Sequence, residues 1–270
     1  MNDLEAFAKL VQALEPWRQQ LVIIGGWGHR LHRWDSRANL PDYQPVSTRD
    51  TDLAFANKAP IEGDIKQALA QQGFKENLSG DHRPPAAHYT LGDESNGFYA
   101  EFLTPLQGSG RKRNGETDAT MEKAGISAQK IRHLDILLID PWSISLHQGN
   151  GFPLPRRMDV LVAHPLCFMV QKLLIQKNRS AGKRAQDVLY IYDTIELFAA
   201  LLEEFNAHWT SRIAPALGNQ AEEVQTLSLQ SFAQVNDMVR NAAQIPVDRK
   251  LSPEQIQATC SYAFAQILRA

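Results

Sequence analysis

The chain predicts an α+β protein: a small mixed β-sheet with flanking helices, followed by an all-helical C-terminal domain. Two observations carry this. As far as residue 163, short β-branched and alternating segments are interspersed with amphipathic stretches of helical period. After His164-Pro165 the pattern is helical almost to Ala270, with Pro165 standing where a helix starts. The expected domains are therefore 1–163 and 164–270.

Each element follows from its spacing. Leu4, Phe7, Val11, Leu14 and Trp17 recur at steps of three or four, so 3–19 reads as one helix face. Leu21–Ile24 is a short apolar run that stops at Gly25-Gly26, a buried strand entering a tight turn. A helix is expected from Trp27 to Trp34, and 35–47, without period, as loop. Thr51–Phe55 reads as a second strand. Ile61, Ile65 and Leu69 predict a helix ending near Gly73. Ala87–Leu91 and Gly97–Leu103 alternate and are joined by a turn-forming run at 92–96, a hairpin signal. His133–Ile139, Ser143–Leu146 and Met158–Val162 are further expected strands. Helices are expected at 166–178, 187–205, 219–242 and 252–269.

Composition limits function more than it selects it. With 43% hydrophobic and 21% charged residues the chain can bury a sizeable core, and a net charge of −2 gives no bulk attraction to nucleic acid. Nucleic-acid contact would need a local basic patch. No apolar run is long enough to span a membrane and the N-terminus does not read as a signal peptide, so a cytoplasmic protein is expected. Cys167 and Cys260 lie far apart and without CxxC spacing, and read as buried apolar residues of a reducing compartment.

The sharpest local signal is Thr48-Arg49-Asp50-Thr51-Asp52-Leu53. Residues two apart in a strand share a face, so Asp50 and Asp52 project side by side. Paired carboxylates repel unless a cation sits between them, and magnesium suits an oxygen-only site beside substrate phosphates. Alone, such a pair reads more readily as two solvated acids on a surface strand. Upstream, Val22-Ile23-Ile24-Gly25-Gly26 places a glycine turn after a strand, where backbone N–H groups can approach a phosphate. Downstream, Glu101 is the lone charge in Gly97–Leu103 and reads either as an outward solvated residue or as a third acid that activates a hydroxyl or completes a metal shell.

In this order, the glycine pair, the Asp-x-Asp and the later acid resemble the polymerase-β-type nucleotidyltransferase superfamily over roughly residues 20–195. Within it the chain is similar to an uncharacterised bacterial nucleotidyltransferase group and to AbiEii-like abortive-infection toxins. The resemblance implies transfer of a nucleoside monophosphate from an NTP such as ATP to an acceptor, with pyrophosphate released. It implies Mg2+ held by Asp50, Asp52 and Glu101, with phosphates on Gly25 and Gly26. Lys172 matches a lysine of the toxin-like branch, and Lys183-Arg184-Ala-Gln-Asp187 partly matches a basic-plus-Asp motif whose adjacent Lys-Asp is here Gln186-Asp187. The acceptor implied is RNA, protein or a small molecule, and a small antitoxin partner comes with the toxin reading. A module on the same fold that only binds nucleotide or RNA is the alternative.

Other residues divide between plain and functional readings. Lys172, Lys177, Arg179, Lys183 and Arg184 read as a solvated helix end or a triphosphate or RNA contact. Arg49 reads as an ion-pair partner or a phosphate contact, and Arg111-Lys112-Arg113 as a surface loop or an acceptor flap. His29 and His32 are expected on a solvated helix surface, and Tyr190 and Tyr192 in the core.

Overall fold

The computed structural model describes residues 2–46, 48–56, 61–81, 83–92, 97–113 and 115–269. The chain forms two compact units: 1–34 with 47–163, and 35–46 with 164–270.

Among the described residues, the first unit is built on a nine-stranded mixed sheet. Its strands are β1 (Leu21–Ile24), β2 (Asp50–Phe55), β3 (Lys75–Ser79), β4 (Ala86–Leu91), β5 (Phe98–Pro105), β6 (Thr120–Lys123), β7 (Ile126–Ile131), β8 (Trp142–Leu146) and β9 (Met158–Val162). The main path runs β3-β4-β5-β2-β1-β9-β8, and the β6–β7 hairpin joins the far end of β5. The helices of this unit are α1 (Asp3–Ala13), α2 (Gly25–Leu31) and α3 (Ile65–Gln71). Asn2 and Glu5 cap α1 reciprocally, and Asp64 caps α3 through the Gln67 N–H. Gly73, at φ +88°, ends the turn after α3 as its position in the sequence predicts.

Alternation sorts the sheet residues. Leu53 and Phe55 of β2, Ala100 and Phe102 of β5, and Ala87, Tyr89 and Leu91 of β4 belong to one buried cluster with Phe7 and Trp27. Trp27 stacks on Phe7 with centroids 4.1 Å apart. The interleaved residues Asp50, Asp52, Tyr99, Glu101 and His88 project from the other face and stay half-buried.

Several elements differ from expectation. His133–Ile139 is not a strand: Asp135–Leu138 is a 3-10 turn, bracketed by His133 at φ +59° and Asp140 at φ +43°. Ile136 and Leu137 are buried all the same, and a short apolar run does not by itself distinguish strand from turn. α2 begins at Gly25 rather than Trp27. His29 and His32 are fully buried, not solvated: the His32 Nε2 lies 2.8 Å from the Ala163 carbonyl oxygen, and its ring meets the edge of Trp142. His32 belongs to the 3-10 turn that follows α2, His32–Trp34, and this turn packs against β8. β3, β6 and β7 were not anticipated. β6 and β7 turn through Ala124-Gly125, both at positive φ, a weaker signal than Asn-Gly. Residues 93–96, most of the expected 92–96 turn, lie outside the described residues, but the strands they join do pair antiparallel.

The second unit contains α4 (Pro165–Ile175), α5 (Ala181–Leu197), α6 (Leu202–His208), α7 (Ala214–Leu217), α8 (Gln220–Phe232), α9 (Asp237–Ala243) and α10 (Pro253–Ile267). The helix expected at 187–205 starts earlier, at Ala181, and breaks after Leu197; the one expected at 219–242 is two. Asn236 makes the second break by accepting the Val239 N–H as the cap of α9. Tyr190 and Tyr192 are buried, as expected. Residues 35–46 are tied to this unit by the Asn39 N–H to Leu197 carbonyl bond and by Arg249, which lies 3.2 Å over the Tyr43 ring and 2.5 Å from Asp193.

Lys172 of α4 is buried and its Nζ lies 2.9 Å from Asp187 Oδ1 on α5, while Arg179 Nε meets Asp187 Oδ2 at 3.1 Å. Removing one member of such a pair strands a buried charge, whereas an apolar pair of similar volume does not. Lys172→Ala should therefore lower the unfolding free energy by about 3 kcal/mol. The double change Lys172→Met with Asp187→Leu should recover most of it, as read by urea denaturation.

Candidate active site

The site grows from strand order. β2 lies between β1 and β5, antiparallel to the first and parallel to the second. The register places Ile24 beside Asp52, Asp52 beside Glu101, and Glu101 beside His88 of β4. Two positions away, Asp50 stands beside Tyr99. Three carboxylates thus share one face of neighbouring strands, with an imidazole and a phenol next to them.

β1 delivers the glycine turn to the same place. Gly25 has φ +63°, and a Cβ there would overlap the Asp52 carboxylate, lying 3.1 Å from its Cγ. Glycine is therefore required twice, by backbone conformation and by the close approach of Asp52. Gly26 follows, half-buried. Gly28 lets α2 settle on β1, because a Cβ would meet the Ile23 carbonyl oxygen at 3.0 Å.

The electrostatics are those of crowded, half-buried acids. Burial is the main cause that pushes the Glu101 carboxyl above its usual range; the nearby His88 pulls it down and Asp50 pushes it up. The Tyr99 hydroxyl is pushed up to about 12, first by burial and then by Asp50, Glu101 and Asp52. It stays protonated and offers a donor. The Thr48 hydroxyl donates to Asp50 Oδ1 and orients that carboxylate. Arg49 is exposed, and its carbonyl accepts the Tyr99 N–H at 3.2 Å, which locks the start of β2 to β5.

Of the residues singled out in the sequence, Gly25, Gly26, Arg49, Asp50, Asp52 and Glu101 come together in the first unit. Lys172 and Lys183 belong to the second. Lys172 is engaged by Asp187, and the exposed Lys183 Nζ donates to Gln186 Oε1 at 3.3 Å. Sequence reasoning missed Thr48, His88 and Tyr99. Tyr99 was within reach, since it sits two residues before Glu101 and so shares its face. His88 was not, because only the β4–β5 register puts it there. Arg111 and Arg113 are exposed on the loop after β5.

A family model described as a nucleotidyltransferase matches residues 2–214. The chain belongs to this nucleotidyltransferase family. Membership implies an NTP as substrate and nucleotidyl transfer as the general activity. A search of curated proteins finds no match. Among the described residues of this nucleotidyltransferase, no helix is long and apolar enough to cross a membrane. Enzymes of this class generally use divalent metals. The donor set here fits that class: Asp50, Asp52 and Glu101 offer only oxygen, the chemistry of a hard divalent ion. The Gly25 backbone, brought against Asp52, leaves no side chain between turn and carboxylate.

Two expectations follow. Gly25→Ala should abolish nucleotidyl transfer with the secondary structure retained, measured by activity alongside circular dichroism. In the metal-free protein the Glu101 carboxyl should titrate above the ordinary value of about 4.3. His88→Ala should raise it further, because the nearby His88 pulls it down; carbon-detected NMR of the carboxyl follows both.

Proposed function

We propose that this protein transfers a nucleoside monophosphate from an NTP to a hydroxyl on RNA, protein or a small molecule, using Asp50, Asp52 and Glu101 as its catalytic carboxylates. The observation that carries the reading is the register that sets Asp52 between the Gly25 turn and Glu101.

Asp50 and Asp52 would hold a divalent cation, Mg2+ by the hardness of the donors, with Glu101 completing the set. When bound, that ion neutralises charge on the triphosphate and polarises the α-phosphate. The backbone N–H groups of Gly25 and Gly26 hold the outer phosphates, with the exposed Arg49 as a cationic contact. Glu101 takes the proton from the acceptor hydroxyl. The acceptor oxygen bonds to the α-phosphorus, the bond from the α-phosphorus to the bridging oxygen breaks, and pyrophosphate leaves with that oxygen. A carboxyl held high by burial suits this task, since its affinity for a proton lies closer to neutral than that of a solvated glutamate. Tyr99, kept protonated beside the acids, donates to whatever oxygen lies over β5.

Kinship with the AbiEii-like branch finds support in the helical unit. Lys172 and Asp187, the two positions that resemble its motifs, are joined in one buried ion pair. In this reading they hold α4 against α5, and Lys183 supplies the exposed positive charge that attracts NTP or acceptor.

The test incubates the purified protein with each labelled NTP, magnesium and fractions of RNA, protein and small metabolites. Label should enter one acceptor class. Asp50→Asn with Asp52→Asn should lower transfer by at least about a hundredfold, with Glu101→Gln lowering kcat more than NTP affinity. Full transfer by the double variant would refute the assignment, whereas NTP binding without pyrophosphate release would favour the binding-module alternative.

A further inference from the structure

We propose that His164, Cys167 and His208 form a binding site for a borderline-soft divalent transition ion, zinc foremost, separate in chemistry from the carboxylate site. One ligand atom from each lies within 4.8 Å of the other two. His164 and Cys167 are buried and His208 is half-buried.

The fold explains the first two. His164 is the cap residue of α4, Pro165 follows it, and Cys167 is the third residue of the helix. The cap side chain folds over the first turn, where His164 accepts the Leu166 N–H, and the third residue, Cys167, lies in that same turn. His208 arrives from the last residue of α6, where the helix passes into a π-helical turn, Trp209–Ile213. Such π turns recur at functional sites, because the extra residue re-aims the side chains beside it. Phe205 presents its ring to His164 at 5.6 Å and forms an apolar wall of the kind that shields metal centres.

The donor chemistry selects the ion. One sulfur and two imidazole nitrogens suit zinc and its neighbours and are poor ligands for magnesium or calcium. Cys167 would bind as thiolate, with its proton passing to solvent, and the imidazoles as neutral donors. Three protein ligands leave a fourth tetrahedral position for water. The His164 Nδ1 accepts the Leu166 N–H at 3.1 Å, and the two imidazoles stack at 4.2 Å with 21° between their planes. Imidazole lone pairs lie in the ring plane, so loading turns one ring out of the stack, and binding through His164 Nδ1 in place of Nε2 also gives up the cap. Both interactions are small against a metal–thiolate centre. The ion would then join the start of α4 to the end of α6. The sequence carries a faint sign of it in His164-x-x-Cys167, which a search restricted to CxxC overlooks.

The experiment titrates the full-length, chelator-treated protein with Co2+, a spectroscopic substitute for zinc. One equivalent should bind with a thiolate-to-cobalt charge-transfer band, and added Zn2+ should displace it while excess Mg2+ does not. Cys167→Ser should lose the band; Cys260→Ser and the Asp50→Asn, Asp52→Asn double variant should keep it. Where Cys167→Ser fails to fold, His208→Ala serves: zinc should raise the melting temperature of the parent protein and leave that of His208→Ala unmoved. A folded parent protein with no charge-transfer band, or a band that survives Cys167→Ser, overturns the proposal. Because the carboxylate variants keep the band, failure here is distinguishable from failure of the transferase reading.

Discussion

The lateral pairing of β2 between β1 and β5 is the constraint on which the catalytic unit depends. On one side it brings the Gly25 turn so close to Asp52 that no side chain fits between them. On the other it places Glu101 in register with Asp52, and β4 then adds His88 to the same row. A slip of one residue in either pairing would send the carboxylates to the opposite face, into the cluster of Phe7, Trp27 and Phe102. The apolar face therefore enforces the polar one. Burying Leu53, Phe55, Ala100 and Phe102 is the free-energy gain that holds like charges side by side.

Partial burial of that polar face has a chemical consequence. Burial raises the proton affinity of both Glu101 and Tyr99, and His88 moderates the effect at Glu101. A hydrogen-bond donor and a proton acceptor consequently stand on one strand, two residues apart. The same desolvation that makes the acids costly to assemble makes them responsive to a cation and to a reacting hydroxyl.

The helical unit handles charge differently. Its buried acids are paired with cations rather than gathered: Asp187 with Lys172 and Arg179, and Asp193 with Arg249 and the Tyr43 hydroxyl at 3.3 Å. These contacts fix which helices meet, and the Asp193 group also retains residues 35–46, the segment that runs on towards β2. Buried ion pairs of this kind add little net stability over an apolar pair of similar volume, but losing one partner is costly.

Local spacing was enough to determine much of this protein. The two-residue period of Asp50 and Asp52, the strand that ends at Gly25 and the helical character after His164 are all short-range properties, and each has its counterpart in the structure. Glu101 could be marked as an isolated charge in an apolar strand, but its place beside Asp52 depends on a parallel pairing of segments nearly fifty residues apart. Tertiary structure alone decided the neighbours. It made His88 part of the site, buried His29 and His32 where the neighbouring Arg30 and Arg33 suggested solvent, placed a 3-10 turn at Asp135–Leu138 where a strand was expected, and drew Cys167 to His164 and His208. The physical reason is common to all of these. Sequence spacing sets which face of an element a residue occupies, whereas packing across long sequence separations sets what that face meets.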